Sequence, residues 1–220
     1  MAKKHISNKT INLLEYYSTL NFTNFFSSVQ TKSNKKFLNK ERLIIELFNE
    51  INDQLGFKRN SNFFFKGNPN SSIMVLGDFP DEDDIKNQEI FSKSKGELLT
   101  KMLTAISLDK ENYYLTNIYF DKEMYVKSKS EFYKNILLKH IKIIKPKYIL
   151  LLGEVASNYF NNSNKKILDL HGKWGVFVID KYKFIIFTTF NPYHLLKEPE
   201  HKKLAWQDLK IFKNQIFISQ

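Results

Sequence analysis

The strongest constraint in this 220-residue chain is an alternation, from residue 73 onward, of short apolar runs with longer helical patterns. Runs that are apolar throughout indicate strands buried on both faces, and parallel strands need helices to connect and cover them. The alternation therefore predicts an α/β fold with a mainly parallel sheet. The predicted strands are 73–76, 113–118, 148–152 and 184–190, and the predicted helices are 96–106, 130–144, 154–160 and 201–217.

The first 70 residues do not show this alternation. The change in pattern predicts two parts, an extension over residues 1–70 and a domain over residues 71–220. The polar segments 32–40 and 66–72 are interpreted as links, because polar residues dominate the first and Gly and Pro interrupt the second. The extension is predicted to be helical, and no role is assigned to it.

Apolar spacing supports helices in this extension. Residues 8–31 fit two short amphipathic helices, and Asn39 is a candidate cap for a third that ends at Gly56. The apolar stripe of the third helix is predicted to pack in a core. Its members are Ile44, Leu47, Phe48, Ile51 and Leu55.

Composition narrows the classes of partner and cofactor. Lys and Arg number 34 against 23 Asp and Glu, so the net charge of +11 favours a polyanionic partner such as DNA, although a Lys- and Asn-rich composition from an A+T-rich genome gives the same bias. The chain has no Cys, which excludes disulfides, thiolate zinc sites and a thiolate-held iron–sulfur cluster. No apolar run approaches the roughly 18 residues of a membrane span, so no membrane association is expected and the predicted location is cytoplasmic.

Polar segments follow three of the predicted strands, where ligands of parallel sheets bind. The first contains Asp78 and begins a run of five carboxylates within residues 78–84. Three interpretations stay open for this run: a site for a hard cation, a solvated acidic loop, or a buried Asp78 that orients water or stabilises positive charge on a sugar.

The other candidate residues also have two possible roles each. Phe91 fits either the core or a flat face for a planar ligand, and Asn117 fits either a turn or the pairing edge of a base. Segment 191–194, Asn-Pro-Tyr-His, precedes Lys197 and is placed to meet phosphate. The five histidines show no zinc or Ser-His-Asp spacing, so no metal site is predicted.

Taken together in their order and spacing, these segments resemble the iron–sulfur branch, family four, of the uracil-DNA glycosylase superfamily. The resemblance extends over about residues 70–212. The segments that carry it are Gly77-Asp78-Phe79-Pro80-Asp81, Asn87-Gln88-Glu89-Ile90-Phe91, Gly96-Glu97-Leu98-Leu99, Tyr114-Leu115-Thr116-Asn117-Ile118, Lys145-Pro146-Lys147, Leu152-Gly153-Glu154-Val155-Ala156, Gly172-Lys173-Trp174, Pro192-Tyr193-His194-Leu195-Leu196-Lys197 and Trp206-Gln207-Asp208-Leu209.

The resemblance implies a three-layer α/β/α sandwich around a four-stranded, mostly parallel sheet. It also implies a monofunctional glycosylase, active as a monomer without a cofactor, that hydrolyses the N-glycosidic bond of uracil or another deaminated base in DNA. By position, Asp78 would hold the catalytic water and Asn191 would stabilise the departing base. Phe91 would stack on the base and Asn117 would read its edge. The resemblance further places Gly77, Phe79, Pro80 and His194 at the base, and Tyr193 and Lys197 on the DNA.

Four departures from the family pattern keep other functions open. The cluster cysteines are absent, so aromatic packing is expected to replace the cluster. Asp78 stands where the family has Glu, and Asp81 where it has Gly. Asn191 stands where it usually has His, and an amide carries no positive charge. A DNA-binding or repair-partner module without catalysis is the main alternative, and a magnesium-dependent nucleotide hydrolase is a third. The aromatic residues expected to pack in place of the cluster are Phe63, Phe64, Phe65, Tyr119 and Tyr133.

Overall fold

The computed structural model describes residues 32–56, 58–122 and 131–218, with side chains from Lys40 onward except those of Leu55 and residues 131–133. A compact unit begins at Lys40. The two helices predicted within 8–31 lie outside the described residues, and the domain boundary after residue 70 stays a prediction. None of the described helices is long and apolar enough to cross a membrane.

The described residues form six strands and eight α-helices that alternate along most of the chain. The strands are β1 (Phe65–Gly67), β2 (Ile73–Gly77), β3 (Tyr114–Asn117), β4 (Tyr148–Leu152), β5 (Trp174–Ile179) and β6 (Tyr182–Thr189). The helices are α1 (Lys32–Leu55), α2 (Glu82–Asn87), α3 (Lys93–Ala105), α4 (Glu131–Ile144), α5 (Glu154–Asn161), α6 (Ile167–Leu170), α7 (Pro192–Lys197) and α8 (Lys202–Ile218). Short 3-10 helices lie at Ser61–Phe63 and Pro199–His201.

The six strands form one sheet in the order β1-β3-β2-β4-β6-β5. The four central strands are parallel to one another, whereas β1 and β5 pair antiparallel at the two edges. The prediction of a four-stranded sheet is therefore wrong in number, although its four strands are the parallel centre. β1 has only three residues, too few for a pattern. β5 had a recognisable signal, because two residues, Asp180 and Lys181, join this apolar run to β6 as in a hairpin.

Helices cover both faces of this sheet, which confirms the α/β/α arrangement. Successive side chains of a strand point to opposite faces, so β2 and β4 contribute to two separate clusters of buried residues. The first cluster joins α1, α4 and α5 to one face of the sheet, and the second joins α3 and α8 to the other. All five residues of β4 are buried, as expected for a central strand between two helical layers.

Helix α1 confirms the predicted stripe but not its predicted start. Ile44, Leu47, Phe48 and Ile51 are buried in the first cluster, and Gly56, with a φ of +66°, follows the last residue of the helix. The helix begins at Lys32, so Asn39 lies inside it and does not cap it, and the predicted link 32–40 is helical. That segment contains no Pro or Gly, and polar residues alone do not interrupt a helix.

The aromatic side chains that were expected to replace the cluster pack in the interior of the protein. Phe63 and Phe64 are buried, and the ring of Phe64 stacks on that of Phe48 with 4.4 Å between centroids. Phe65 is half-buried against the same cluster, and Tyr119 is buried within it. Four of the five aromatic residues expected to pack here therefore do so, and the side chain of Tyr133 lies outside the described ones.

Candidate active site

The candidate site lies where the four parallel strands end. Gly77 of β2 pairs in register with Asn117 of β3, and Leu152 of β4 pairs with Thr189 of β6. The residues that follow these ends meet at one edge of the sheet, as the sequence predicts for a ligand-binding edge.

Asp78 is held by contacts with three distant segments. Its Oδ1 accepts a hydrogen bond of 2.8 Å from the backbone N–H of Ala156, in the first turn of α5. Its Oδ2 accepts one of 3.2 Å from the Nδ2 of Asn191. Its backbone carbonyl accepts a further bond from the N–H of Tyr119. The carboxylate is therefore fixed in one orientation by chain segments that lie far apart in sequence.

Gly153 permits this convergence. A Cβ at this position would lie 2.9 Å from the Oδ2 of Asp78 and 3.0 Å from the Cβ of Asn191, which is too close for a side chain. The φ of Gly153 is +100°, in a region that L-residues rarely adopt. The residue between β4 and α5 must therefore be glycine for Asp78 and Asn191 to meet.

The electrostatic setting of Asp78 differs from that of an exposed carboxyl group. Its pKa is raised from 3.8 to about 7, mainly by burial and in smaller part by the nearby Glu154 carboxylate, while the hydrogen bonds from Ala156 and Asn191 oppose the shift. A carboxylate whose pKa lies near neutrality is well matched to accept a proton from water.

Asn191 is the N-cap of α7, with Pro192 at the first helical position. Its Oδ1 accepts a hydrogen bond of 3.0 Å from the N–H of Tyr193, while its Nδ2 donates to Asp78. The cap fixes which end of the amide faces Asp78. In this structure Asn191 therefore positions the carboxylate, and its predicted contact with a departing base stays a prediction.

Gly77, Phe91 and Asn117 meet at a second point of the same edge. A Cβ at Gly77 would lie 2.5 Å from both the Oδ1 of Asn117 and the Cζ of Phe91, so only glycine fits. Asn117 is buried, and its Nδ2 has no hydrogen-bond partner among the described residues. A buried amide donor without a partner costs about 1–3 kcal/mol, which a ligand acceptor can recover. The site thus places an aromatic ring beside an amide that is available for hydrogen bonding.

Phe91 is nearly buried and packs in the second cluster beside α3. It also lines a cavity of about 640 Å³ together with Lys66, Lys93, Lys101 and Lys110. Both roles considered from the sequence, core packing and an accessible ring, are thus compatible with its position.

Phe79 and Pro80 lie apart from this pair. Phe79 is half-buried against the first cluster, on the opposite face of the sheet from Phe91, and Pro80 is buried. Their predicted contact with a base stays a prediction.

A cavity of about 430 Å³ brings several predicted residues together beside Asp78. Asp78, Asn191, Tyr193 and His194 all line it. Lys197 lies outside its lining, with its Nζ 4.3 Å above the ring of Tyr193. The Tyr193 side chain is 47% exposed, so this ring and the ammonium form an accessible rim.

The acidic run after Asp78 is engaged in structural contacts. Asp81 caps α2 by accepting a bond of 3.0 Å from the N–H of Asp84. Lys95, which is almost buried, forms ion pairs with both Asp81 and Asp84. Lys93 pairs with Asp83 on the surface. These lysines neutralise the carboxylates that the magnesium interpretation would need, and the Asp81 side chain is held against Lys95 and the start of α2.

Sequence reasoning missed several residues of this region. Gly153 and Ala156 matched the family pattern but received no role. Glu198 and His201 lie beside His194, and their ligating atoms all fall within 4.8 Å of one another. The spacing of four and then three residues from His194 was the available signal, because it places the three side chains on one face of helical structure.

The fold and these contacts define an α/β protein with a polar cleft at the carboxyl edge of a mainly parallel sheet. The sequence pattern of the "Uracil DNA glycosylase superfamily" matches residues 64–210. The chain belongs to this superfamily.

Three relatives of this chain are named type-4 uracil-DNA glycosylase. The protein from Sulfurisphaera tokodaii is 27% identical over 154 residues, which cover 66% of this chain and 70% of that protein. The one from Saccharolobus solfataricus is 26% identical over 160 residues, 69% of this chain and 74% of that protein. The one from Archaeoglobus fulgidus is 26% identical over 154 residues, 66% and 76% of the two chains. The chain is thus similar to the predicted branch, and it has no cysteine.

Proposed function

We propose that this protein is a DNA repair glycosylase that hydrolyses the N-glycosidic bond of uracil, or of another deaminated base, in DNA. The observation that carries the proposal is the buried amide of Asn117, which lies beside the ring of Phe91 and whose Nδ2 has no hydrogen-bond partner in the part of the chain that the structure describes. An amide offers a donor and an acceptor side by side, which suits the edge of a base, and the ring suits its face. Names of the relatives support the same activity.

The proposed chemistry uses Asp78 on the reacting water. The bond between C1′ of the sugar and the base nitrogen breaks, and its electron pair leaves with the base. The water oxygen bonds to C1′ and its proton passes to the Asp78 carboxylate, from which it reaches the released base or solvent. The negative charge of Asp78 also stabilises the positive charge that develops on the sugar. Asn191 holds Asp78 through its Nδ2 and is the proposed donor to the departing base.

DNA binding supplies the free energy to expose the base. A base must be flipped out of the stack, at a cost of a few kcal/mol. Stacking on an aromatic ring recovers roughly 1–3 kcal/mol per base, and phosphate contacts add sequence-independent affinity. Phe91 is the proposed stacking ring. Tyr193 and Lys197, on the rim of the cavity, are the proposed contacts to the DNA backbone.

One assay tests the activity. The full-length protein is incubated with end-labelled oligonucleotides that carry uracil, hypoxanthine or xanthine, in single- and double-stranded form and with a metal chelator. Alkali-labile abasic sites in the presence of chelator are the expected result. Cleavage that occurs only with magnesium would support a nucleotide hydrolase instead.

A DNA-binding module without catalysis is the second candidate, and one observation favours it. The amide of Asn191 is committed to Asp78 and to the cap of α7, and it cannot carry the positive charge that an imidazole would bring to a departing anion. This candidate predicts salt-sensitive DNA binding with no abasic sites from any lesion. Under that outcome Asn191→His is the first variant to assay for restored activity.

A further inference from the structure

Three side chains converge at the end of helix α7, and only His194 among them is an expected contact of the base. The Nε2 of His194 lies 2.8 Å from the Nδ1 of His201. The Oε2 of Glu198 lies 3.6 Å from the first nitrogen and 3.3 Å from the second. Two imidazole nitrogens and one carboxylate oxygen thus form a small triangle of donor atoms.

The size of this triangle matches a tetrahedral ion. With ligand bonds of about 2.0–2.2 Å, the ligand atoms of a tetrahedral zinc ion lie about 3.4 Å apart. The three observed separations lie within about 0.6 Å of that value. The planes of the two imidazole rings differ by only 3° and their centroids lie 5.0 Å apart, so the two nitrogens face each other and both rings must turn to face a common ion. An ion would also replace the direct contact between the two imidazole nitrogens.

The surrounding structure holds the three donors in place. The ring of Phe190, which is fully buried, lies 5.5 Å from the His194 ring and 5.4 Å from the His201 ring, between centroids. Backbone hydrogen bonds from Glu198 N–H to the His194 carbonyl, and from His201 N–H to the Glu198 carbonyl, fix the turn that carries them. The backbone that carries the three donors is therefore fixed, and only the side chains must move to bind an ion.

The donor chemistry selects the class of ion. Imidazole nitrogens with one carboxylate suit zinc and similar transition metals, whereas magnesium and calcium prefer sites made of oxygen atoms. Three protein ligands leave the fourth position of a zinc ion open. All three residues line the cavity that also contains Asp78 and Asn191, so this position is open to the cavity.

We propose that His194, Glu198 and His201 bind one zinc-type divalent ion at the cavity beside Asp78, with the fourth position taken by water or a phosphate oxygen. The site goes beyond the proposed base excision and does not include Asp78. It changes the expected role of His194, because a coordinated Nε2 is no longer available to contact a base. It also adds positive charge to the side of the cavity where a DNA phosphate would approach.

Metal titration of the purified full-length protein tests the proposal. After treatment with chelator and its removal, the protein is titrated with Zn²⁺ by calorimetry and with Co²⁺ by visible absorption, which reports tetrahedral geometry. One ion per chain is expected for both metals. Glu198→Gln and His201→Asn are each expected to weaken binding at least about tenfold.

Glu200→Gln is the matched control, because it removes the same charge from an exposed residue of the same short 3-10 helix, two residues away. It is expected to bind zinc like the wild type. No zinc uptake by the wild type would overturn the proposal, and so would equal affinity in Glu198→Gln, which would place the ion elsewhere. Neither calorimetry with zinc nor absorption with cobalt depends on base excision. Failure of the zinc proposal would therefore say nothing against base excision, and failure of base excision would say nothing against zinc binding.

Discussion

Replacement of Asp78 by Asn is the most direct test of the proposed catalytic site. The change keeps the shape of the side chain and its hydrogen bond from Ala156, but it removes the negative charge and the acceptor for the Nδ2 of Asn191. Because that charge is proposed to act on the water and on the sugar, single-turnover base release should slow at least about tenfold, which corresponds to about 1.4 kcal/mol of barrier. Binding of lesion-containing DNA should survive.

The pH dependence of the wild-type rate of base release gives a second test, because it reports the ionisation of Asp78. With a pKa of about 7, the ionised fraction of Asp78 rises from about 1% at pH 5 to about 90% at pH 8, so the rate should rise by about 90-fold over that interval. A carboxyl group at the ordinary value of 3.8 would give a change of less than about 10%. Bound DNA phosphates would raise the pKa further, which steepens the dependence.

The assay is a single-turnover measurement with protein in excess over end-labelled DNA, from pH 5 to pH 8. Asp83→Asn is the matched control, because it makes the same chemical change at an exposed residue of α2. That variant should follow the wild-type profile, while Asp78→Asn should be slow and nearly independent of pH. A flat wild-type profile, or equal rates for wild type and Asp78→Asn, would remove Asp78 as the catalytic carboxylate.

The remaining predictions concern stability and DNA binding. Because the pKa of folded Asp78 lies above its unfolded value, its contribution to stability is present at acidic pH and is lost as the pH rises toward 7. Between about pH 4 and pH 7, wild type should therefore lose roughly 3–5 kcal/mol of stability in urea denaturation that Asp78→Asn does not lose, and equal pH dependence of the two proteins would contradict the raised pKa. Lys95→Met leaves the buried Asp84 without its cation and should lower the free energy of unfolding by about 3–5 kcal/mol. The control Lys93→Met, at an exposed ion pair, should lower it by less than about 1 kcal/mol, and equal effects of the two changes would contradict the buried pairing. Phe91→Leu keeps apolar volume but removes the ring, so competition binding should show a loss of lesion preference of roughly 1–3 kcal/mol, and an unchanged preference would exclude stacking on Phe91. Lys197→Ala should weaken lesion and undamaged DNA equally and lower the salt dependence of binding by about one phosphate contact, whereas a loss confined to lesion DNA would place Lys197 at the base.

The sequence predicted the centre of the fold because a buried central strand has a local signature. Residues 148–152 are apolar throughout, and they form β4 with the predicted bounds. The stripe of α1 was predicted for the same reason, since a core-facing helix repeats its apolar residues locally. The start of α1 and the edge strand β1 were missed. A helix continues through polar residues when nothing interrupts it, and a three-residue strand exists only because β3 offers it a partner.

The candidate site divides in the same way between local pattern and tertiary contact. The sequence by itself placed Asp78, Asn117 and Asn191 after strand ends, and the parallel arrangement of those strands implied that the residues share one edge. Only the tertiary structure decided which of them touch. Asp78 and Asn191 are 113 residues apart in the chain and form a hydrogen bond because β2 and β6 flank β4, whose following Gly153 leaves them room. Strand order and the space beside a glycine depend on the packing of the whole sheet, so no local pattern of residues encodes them.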